Sequence, residues 1–480
     1  MSTPGGKYCE SRARARIGQE GVPVTRREEP GDPLEKLTPH PVVESDWQGV
    51  SRHIPVDLEA TARESRALVR RRGVRRAEDL LRMALAYALC DWSLKMVAAW
   101  ACLQGWATLS DTALLWRLEG AREWLGVLVA AWVLRNRSEL AGHPVRVRLI
   151  DASVVNGPGS QGTDWRVHLS LDLGQGRLDG VEVTDSKGGE TLIRHPVQAG
   201  DIVVADRGYG HPQGIASVLE RGAELVVRIT LGNLRLYDEQ GGKLDLLEWL
   251  RGAPVTQAVE RQVWIKTEEG TFSMRLIAKR LSEQAAEAAR RRLRRRSSRH
   301  SRTPDQRSLE MAGFITVMSS LDPQEWSPGQ IMALYRLRWQ VEMAFKRLKG
   351  VLHLDQLRAQ DPDLVQAYLL AKLLGALMVE RMSRSGPDLS IDWFESVERP
   401  VSPWRWLVLF SEALRRAVQG ELSLAQLFSA LPQLQRYLCD APRRRKQHYA
   451  LGRRLMQLLT GLINPSHGRT DQLLQPMALC

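Results

Sequence analysis

Cysteine is scarce: Cys9, Cys90, Cys102, Cys439 and Cys480 are the only five in 480 residues, and no two form a CxxC pair. That leaves neither a zinc ribbon nor a disulfide framework, and the odd, scattered set fits a reducing cytoplasm. There is no HExxH among the ten dispersed histidines, so a zincin site is excluded. Gly188-Gly189 is too short for a phosphate-binding loop and no Walker pattern occurs, so ATP use is not implied. The opening MSTPGGKYCESRARAR lacks the apolar core of a signal peptide. The most apolar long stretch, Leu80 to Leu103, carries Arg82, Asp91 and Lys95. Charges at mid-bilayer are expensive, so a buried helix pair is expected there and no membrane partner. Phenylalanine (6) is outnumbered by tryptophan (15), which makes tryptophan the main aromatic packing residue. Acid is in deficit too: 55 Asp+Glu against 68 Lys+Arg gives a net charge of +13 and a pI near 9.8. A chain this basic meets a polyanion, nucleic acid first. What remains is globular in balance, 43% apolar and 26% charged, with length for about three domains.

Residues 1–55 are rich in Pro, Gly and charge and read as a flexible arm. The stretch 56–140 has apolar residues at helical spacing, Ser110 as a plausible N-cap, and arginines at 70, 71, 72, 75 and 76; it reads as a helical DNA-binding domain. After Gly142 come short β-rich runs, VRVRLIDAS, RVHLSLDL, GVEVTDS, DIVVADRG and GAELVVRIT, separated by Gly, Asp and Asn turns. Between 231 and 311 more strand-like pieces (QAVERQVWIK, TFSMRLIAK) lead into a helix-like run with eight arginines between Arg290 and Arg302. Such a run is a solvated face or a contact for nucleic acid phosphates. GFITVMSS is a further strand, and helical patterns dominate from there to the C-terminus.

Two acids stand out by position. Asp151 ends the apolar run VRVRLID and Asp206 ends DIVVAD, and ligands gather at the carboxyl ends of strands in an open sheet. Each alone also reads as a turn or capping residue; side by side they would repel unless a hard cation lay between them. A third acid comes from YRLRWQVEMAFKRLKG. On one continuous helix Tyr335, Arg338, Glu342 and Lys349 fall within an arc of roughly 60°. Leu334, Leu337, Val341, Ala344, Phe345, Leu348 and Leu352 make the apolar stripe beside them. Taken alone, Arg338 and Glu342 are an ordinary surface pair at i and i+4. Taken with Asp151 and Asp206, the set suits two divalent ions acting on an in-line phosphoryl displacement, with Arg and Lys for a polyanionic substrate.

These residues together resemble the bacterial transposases of the insertion-sequence-four (IS4) family. The Y-x2-R-x3-E-x6-K signature of that family is matched without change of spacing by Tyr335, Arg338, Glu342 and Lys349. Asp151 in LIDAS and Asp206 in VVADRGY match its first two acids, with Arg207 and Gly208 following as in many relatives; Asp164–His168 and Thr184–Thr191 resemble its core strands.

The resemblance spans roughly Ala60 to Val379. It implies an α/β ribonuclease-H-like core, a mixed five-stranded sheet with helices, built from 141–230 and 312–380. A mostly β insertion with the basic run (231–311) and a C-terminal helical region (381–480) complete the expected plan. It implies cut-and-paste DNA transposition: binding of terminal inverted repeats, cleavage, in several relatives through a hairpin, and strand transfer into target DNA. Asp151, Asp206 and Glu342 would be catalytic and hold two Mg2+ (or Mn2+) ions, and Tyr335, Arg338, Lys349 and Arg207 would bind DNA. The partners would be double-stranded DNA and a second copy in a synaptic homodimer, and the location the bacterial cytoplasm. Some relatives trap a flipped base on a tryptophan; Trp249, Trp264 and Trp326 are candidates here. Two other classes stay open: a catalytically inactive, domesticated DNA-binding relic or inhibitor of transposition, and a nuclease that cuts without joining.

Overall fold

The structure is a computed structural model and describes residues 44–69, 71, 73–139, 146–160, 162–232, 234–254, 257–299, 301–383 and 403–420. The first six helices are α1 Glu44–Ser51, α2 Leu58–Glu64, α3 Ala77–Leu89, α4 Leu94–Leu103, α5 Asp111–Gly120 and α6 Arg122–Glu139. Asp57, Ser93 and Ser110 cap α2, α4 and α5 through side-chain oxygens that accept the N–H groups of Ala60, Met96 and Ala113. The expected apolar helix pair is α3 and α4, and α3 is buried along nearly its whole length.

Eight strands follow among the described residues: β1 Arg146–Val155, β2 Trp165–Asp172, β3 Arg177–Asp185, β4 Asp201–Ala205, β5 Glu224–Arg228, β6 Val259–Lys266, β7 Thr271–Arg280 and β8 Phe314–Ser319. They form one mixed sheet in the order β3-β2-β1-β4-β5-β8-β7-β6. The five expected strands all form, and they are adjacent. DIVVA and the centre of ELVVR are buried on both faces, which is why these central parallel strands read as unbroken apolar runs. β1 pairs parallel with β4, and β4 with β5, while β2, β3, β8, β7 and β6 join antiparallel.

Among the described residues the remaining helices are α7 Pro212–Leu219, α8 Leu246–Arg251, α9 Glu283–Ser298, α10 Gln306–Met311, α11 Pro328–Arg336, α12 Trp339–Leu352, α13 Pro362–Met382 and α14 Pro403–Gln419. α13 is the central one, packed on α3, α5, α6 and α14. Its apolar composition, enough in length to cross a membrane, is accounted for by burial of 83% of its most apolar window inside the protein. Buried Lys372 on α13 donates from Nζ to His353 O at 2.5 Å.

Several expectations need correction. The sheet has eight strands rather than five, because β8 pairs with both β5 and β7 and so carries the strands of the 231–311 segment onto the same sheet. That segment is not mostly strand: β6 and β7 (8 and 10 residues) are accompanied by α8, α9 and α10 (6, 16 and 6 residues). Asp245 and Asp305 start the two short helices by accepting N–H groups of their first turns. Residues 1–43 lie outside the described residues, but α1 falls inside the stretch read as an arm. It is anchored by Trp47, 1% exposed, whose indole N–H donates to Glu78 at 2.5 Å. Of the C-terminal region only α14 and Gly420 are described beyond Ser383.

Candidate active site

The parallel strands set the geometry. Ile150 pairs with Ala205, and Ala205 with Val227, so Asp151, Asp206 and Arg228 are the next residues on three neighbouring strands. Residues in register on adjacent strands are about 4.8 Å apart and face the same side of the sheet. Asp151 is not the end of its strand, however. Antiparallel pairing with β2 continues to Val155↔Trp165, so Asp151 stands where β1 loses β4 as a neighbour. Asp206 directly follows β4 and opens a 3-10 turn, Arg207–Tyr209.

The signature residues do not share one helix. Leu337, Arg338, Gln340 and Val341 each donate to the carbonyl three residues back, so a 3-10 stretch divides α11 from α12. Ser327 and Gln330 close a capping box at the start of α11. α11 packs on β4, β5 and β8, and α12 on β1 and β2. Leu337, expected in the apolar stripe, is turned outward by the tightened stretch and is 38% exposed, while Leu334, Val341, Phe345 and Leu352 are buried as expected.

Five of the predicted residues are joined by contacts. The Tyr335 hydroxyl donates to Asp206 Oδ1 at 3.0 Å. Arg338 donates from Nη1 to Asp151 Oδ2 at 3.4 Å and from Nη2 to Glu342, bridging the first and third acids. The Ala152 N–H donates to Asp151 Oδ1 at 2.8 Å. Arg207 follows Asp206 in the chain and begins the 3-10 turn. Lys349 is joined to this group by no ion pair among the described residues; it lies seven residues beyond Glu342, about 10 Å along α12. Trp249 and Trp326 pack against the two hydrophobic cores, and Trp264 bridges Tyr237 through the backbone.

Burial and like charge oppose each other here. Asp151 is pushed up to about 6 by burial and by the charges of Asp206 and Glu342, against the Ala152 N–H and Arg338. Burial also pushes Asp206 up, but the Arg207 N–H, the Arg338 charge, the Tyr335 hydroxyl and Arg228 outweigh it, and its carboxyl is held low. Burial and Asp206 push the Tyr335 phenol up to about 12, so it remains a donor at neutral pH. Against the effect of burial, the phenol and the carboxylates hold the Arg338 guanidinium firmly protonated. The side chain of Glu342 is 53% exposed, that of Asp151 19%. Among the described residues no three acidic, His or Cys side chains stand close enough together to ligate one ion. Arg338 occupies the space between Asp151 and Glu342.

Sequence reading passed over Arg228, whose charge acts on Asp206 and Tyr335. A lone arginine at the end of GAELVVR belongs to no motif; only strand register reveals its place. His168 and His195 are buried, with ring centroids 6.5 Å apart.

Residues 143–378 match the family described as the transposase DDE domain. The InsL protein of insertion sequence element IS186A of Escherichia coli K12 is 39% identical over 353 residues, covering 72% of this chain and 95% of the relative. The transposase for insertion sequence element IS421 of Escherichia coli is 39% identical over 354 residues, with the same shares. The transposase for IS231F of Bacillus thuringiensis subsp. israelensis is 23% identical over 275 residues, 50% of this chain and 57% of that one.

Proposed function

The chain belongs to the IS4 family of insertion-sequence transposases, and on that footing we propose that it cuts and joins DNA at the ends of a mobile element. It binds the terminal inverted repeats, cleaves there, and transfers the freed end into target DNA, two copies acting together in the synaptic complex. The core is ribonuclease-H-like: the order β3-β2-β1-β4-β5, with an antiparallel β1-β2-β3 meander beside two parallel strands, supports that assignment.

The observation that carries the reading is the convergence of Asp151 and Asp206, in register on β1 and after β4, with Glu342 brought to Asp151 through Arg338. The donor set fits divalent ions. It consists of hard carboxylate oxygens, and Asp151 is raised by burial and, to a lesser extent, by the charges of Asp206 and Glu342, both of which a bound cation would offset. Asp151, Asp206 and Glu342 would hold two such ions, Mg2+ or Mn2+. When bound, these would activate an attacking oxygen and stabilise the leaving one.

The chain's own residues do the positioning. The Tyr335 phenol keeps its proton and fixes the orientation of Asp206. Arg338, charged and 13% exposed, keeps Asp151 and Glu342 from separating. Arg207 and Lys349 flank the acids as phosphate contacts, one after β4 and one further along α12.

The test uses purified full-length protein, DNA carrying the element's ends, and Mg2+. Asp151→Asn, Asp206→Asn and Glu342→Gln each retain DNA binding and lose nicking by at least a thousandfold, in line with loss of a group that acts only in the transition state. A parent protein that binds but never nicks supports the inactive relic. Nicking without strand-transfer product, and without dependence on specific ends, supports a plain nuclease. Parent and Asp151→Asn nicking at equal rates overturns the assigned site.

A further inference from the structure

The helix that carries Glu342 ends on cations supplied by other helices. Like any helix, α12 leaves its last carbonyls without partners inside the helix. Buried Lys372 of α13 donates to the carbonyl of the C-cap residue His353, and Arg415 of α14 donates from Nη2 to Val351 O at 3.0 Å. The same guanidinium donates from Nε to Leu89 O, the last carbonyl of α3, at 2.8 Å. One side chain thus closes the carboxyl ends of two helices, α3 from the N-terminal region and α12 from the active site. Positive charge is favourable at either end.

α14 is itself held from the N-terminal side. Trp100 of α4 donates its indole N–H to Gln419 O at 2.6 Å, and Arg82 of α3 donates to Ala417 O and Val418 O. At the start of α14 the Trp404 ring lies so close to Gly350 of α12 that a Cβ at that glycine would overlap it. α14 therefore touches the N-terminal helices at its end and α12 at its beginning, and Arg415, between the two, is bonded to both. The Arg415 side chain is 23% exposed, so its removal leaves no large buried gap.

Glu342 stands nine residues before Val351, about 14 Å along α12. Its side chain is 53% exposed and is tied to Asp151 through Arg338. A tilt of α12 by about 5° at its carboxyl end moves that carboxylate by about 1 Å, and a misplacement of that size can cost a reaction on the order of a hundredfold. We propose that Arg415 is a positioning residue for the reaction: by closing the ends of α3 and α12 together it sets the tilt of α12, and so the place of Glu342 beside Asp151. The proposal rests on the reading of Glu342 as the third acid of a DNA-cutting site. It makes α14, which brings no group to the acids, part of the frame that holds them.

The test compares the full-length parent with Arg415→Ala, Trp404→Ala and, as a control, Arg416→Ala, whose side chain is 78% exposed and pairs with Glu412 within α14. Hydrogen exchange read by mass spectrometry, without DNA or divalent ions, shows residues 341–352 exchanging about tenfold faster in Arg415→Ala, the factor that corresponds to one lost bond from a charged donor, while β4 and β5 stay as in the parent. Trp404→Ala, which leaves Arg415 in place, gives a smaller rise in the same residues. In nicking of DNA that carries the element's ends, Arg415→Ala needs about tenfold more Mg2+ for half-maximal rate, and its DNA affinity in EDTA matches the parent's. A loss of folded protein alone would lower the rate at every Mg2+ concentration and leave the half-maximal point in place. Arg416→Ala behaves as the parent throughout. Unchanged exchange over 341–352 in Arg415→Ala, or an equal rise in β4 and β5, overturns the proposal, and so does faster exchange with an unmoved Mg2+ requirement. A parent that binds DNA and never nicks removes the DNA-cutting reading instead, and the exchange rates still decide whether Arg415 fixes α12.

Discussion

Acid should unfold this protein through two buried histidines. His168, on β2 opposite Ala152, and His195, after the 3-10 turn Leu192–Arg194, are 0% and 3% exposed. Burial, helped by Arg194 and Arg166, lowers His168 from 6.5 to about 4; burial, helped by Arg148 and His168, lowers His195 to about 3. Both rings are therefore neutral in the folded protein while the unfolded chain takes up protons below pH 6.5. Stability from this source is complete above 6.5 and lost as pH falls towards the folded values. At about pH 5 each ring forfeits 1.5 units, about 2 kcal/mol, so the pair forfeits about 4 kcal/mol. The figure depends little on how far below 5 the folded values lie.

Asp151 works in the opposite direction. Its carboxyl is raised from 3.8 to about 6, so the folded state binds the proton more tightly, and stability is gained as pH falls through 6. At about pH 5 that returns about 1 kcal/mol, and the net loss is about 3 kcal/mol. The assay is urea unfolding followed by tryptophan fluorescence in EDTA at about pH 7.5 and about pH 5. The parent loses about 3 kcal/mol between the two, and His168→Gln with His195→Gln reverses the sign to a gain of about 1 kcal/mol. If the double variant loses as much on acidification as the parent, the histidines are not the titrating groups and the reasoning fails.

Two further outcomes follow from contacts elsewhere. Arg82, 1% exposed, donates to Val418 O at 3.2 Å and Ala417 O at 3.3 Å, and stacks over Trp106 at 4.1 Å and Trp47 at 5.1 Å. Arg82→Ala strands the last carbonyls of α14 and empties the slot between two indoles, costing about 3 kcal/mol in urea unfolding and exposing α14 to limited proteolysis; a cost below about 1 kcal/mol contradicts this role. Tyr335→Phe removes one hydrogen bond to a carboxylate, worth about 1.5 kcal/mol, so nicking should fall about tenfold with DNA affinity unchanged. A thousandfold fall would place the phenol in the chemistry itself.

Much of this fold is legible in the sequence. The apolar runs with turn residues between them became strands because half-buried or fully buried strands have few other compositions. The two aspartates were visible because each closes such a run. What escaped has a common cause: it depends on partners distant in sequence. β1 outruns Asp151 only because β2 is there to pair with it as far as Val155. α1 hides in a Pro- and Gly-rich stretch because a single tryptophan, seated on α3, anchors it. α8 and α10 are six residues each and hold through their aspartate caps rather than any periodic stripe. Arg228 has no meaning until β5 is laid against β4.

The signature helix shows how a correct set of residues can follow from an incorrect local geometry. On a continuous α-helix the seven steps from Tyr335 to Glu342 turn through 700°, leaving the two about 20° apart on one side. Three steps taken at the 120° of a 3-10 stretch add about 60°, so Glu342 ends about 40° away on the opposite side of Tyr335. That rotation separates two tasks. α11, over β4 and β5, delivers the phenol of Tyr335 to Asp206; α12, over β1 and β2, presents Glu342 on the Asp151 side. Arg338 lies within the tightened stretch and reaches both Asp151 and Glu342. The acids stand on two adjacent strands, and Tyr335 and Glu342 are also about 10 Å apart along the helix axis, about two strand spacings, so rise and the tightened turn at Leu337 and Arg338 together bring the phenol to Asp206 and the carboxylate to the Asp151 side.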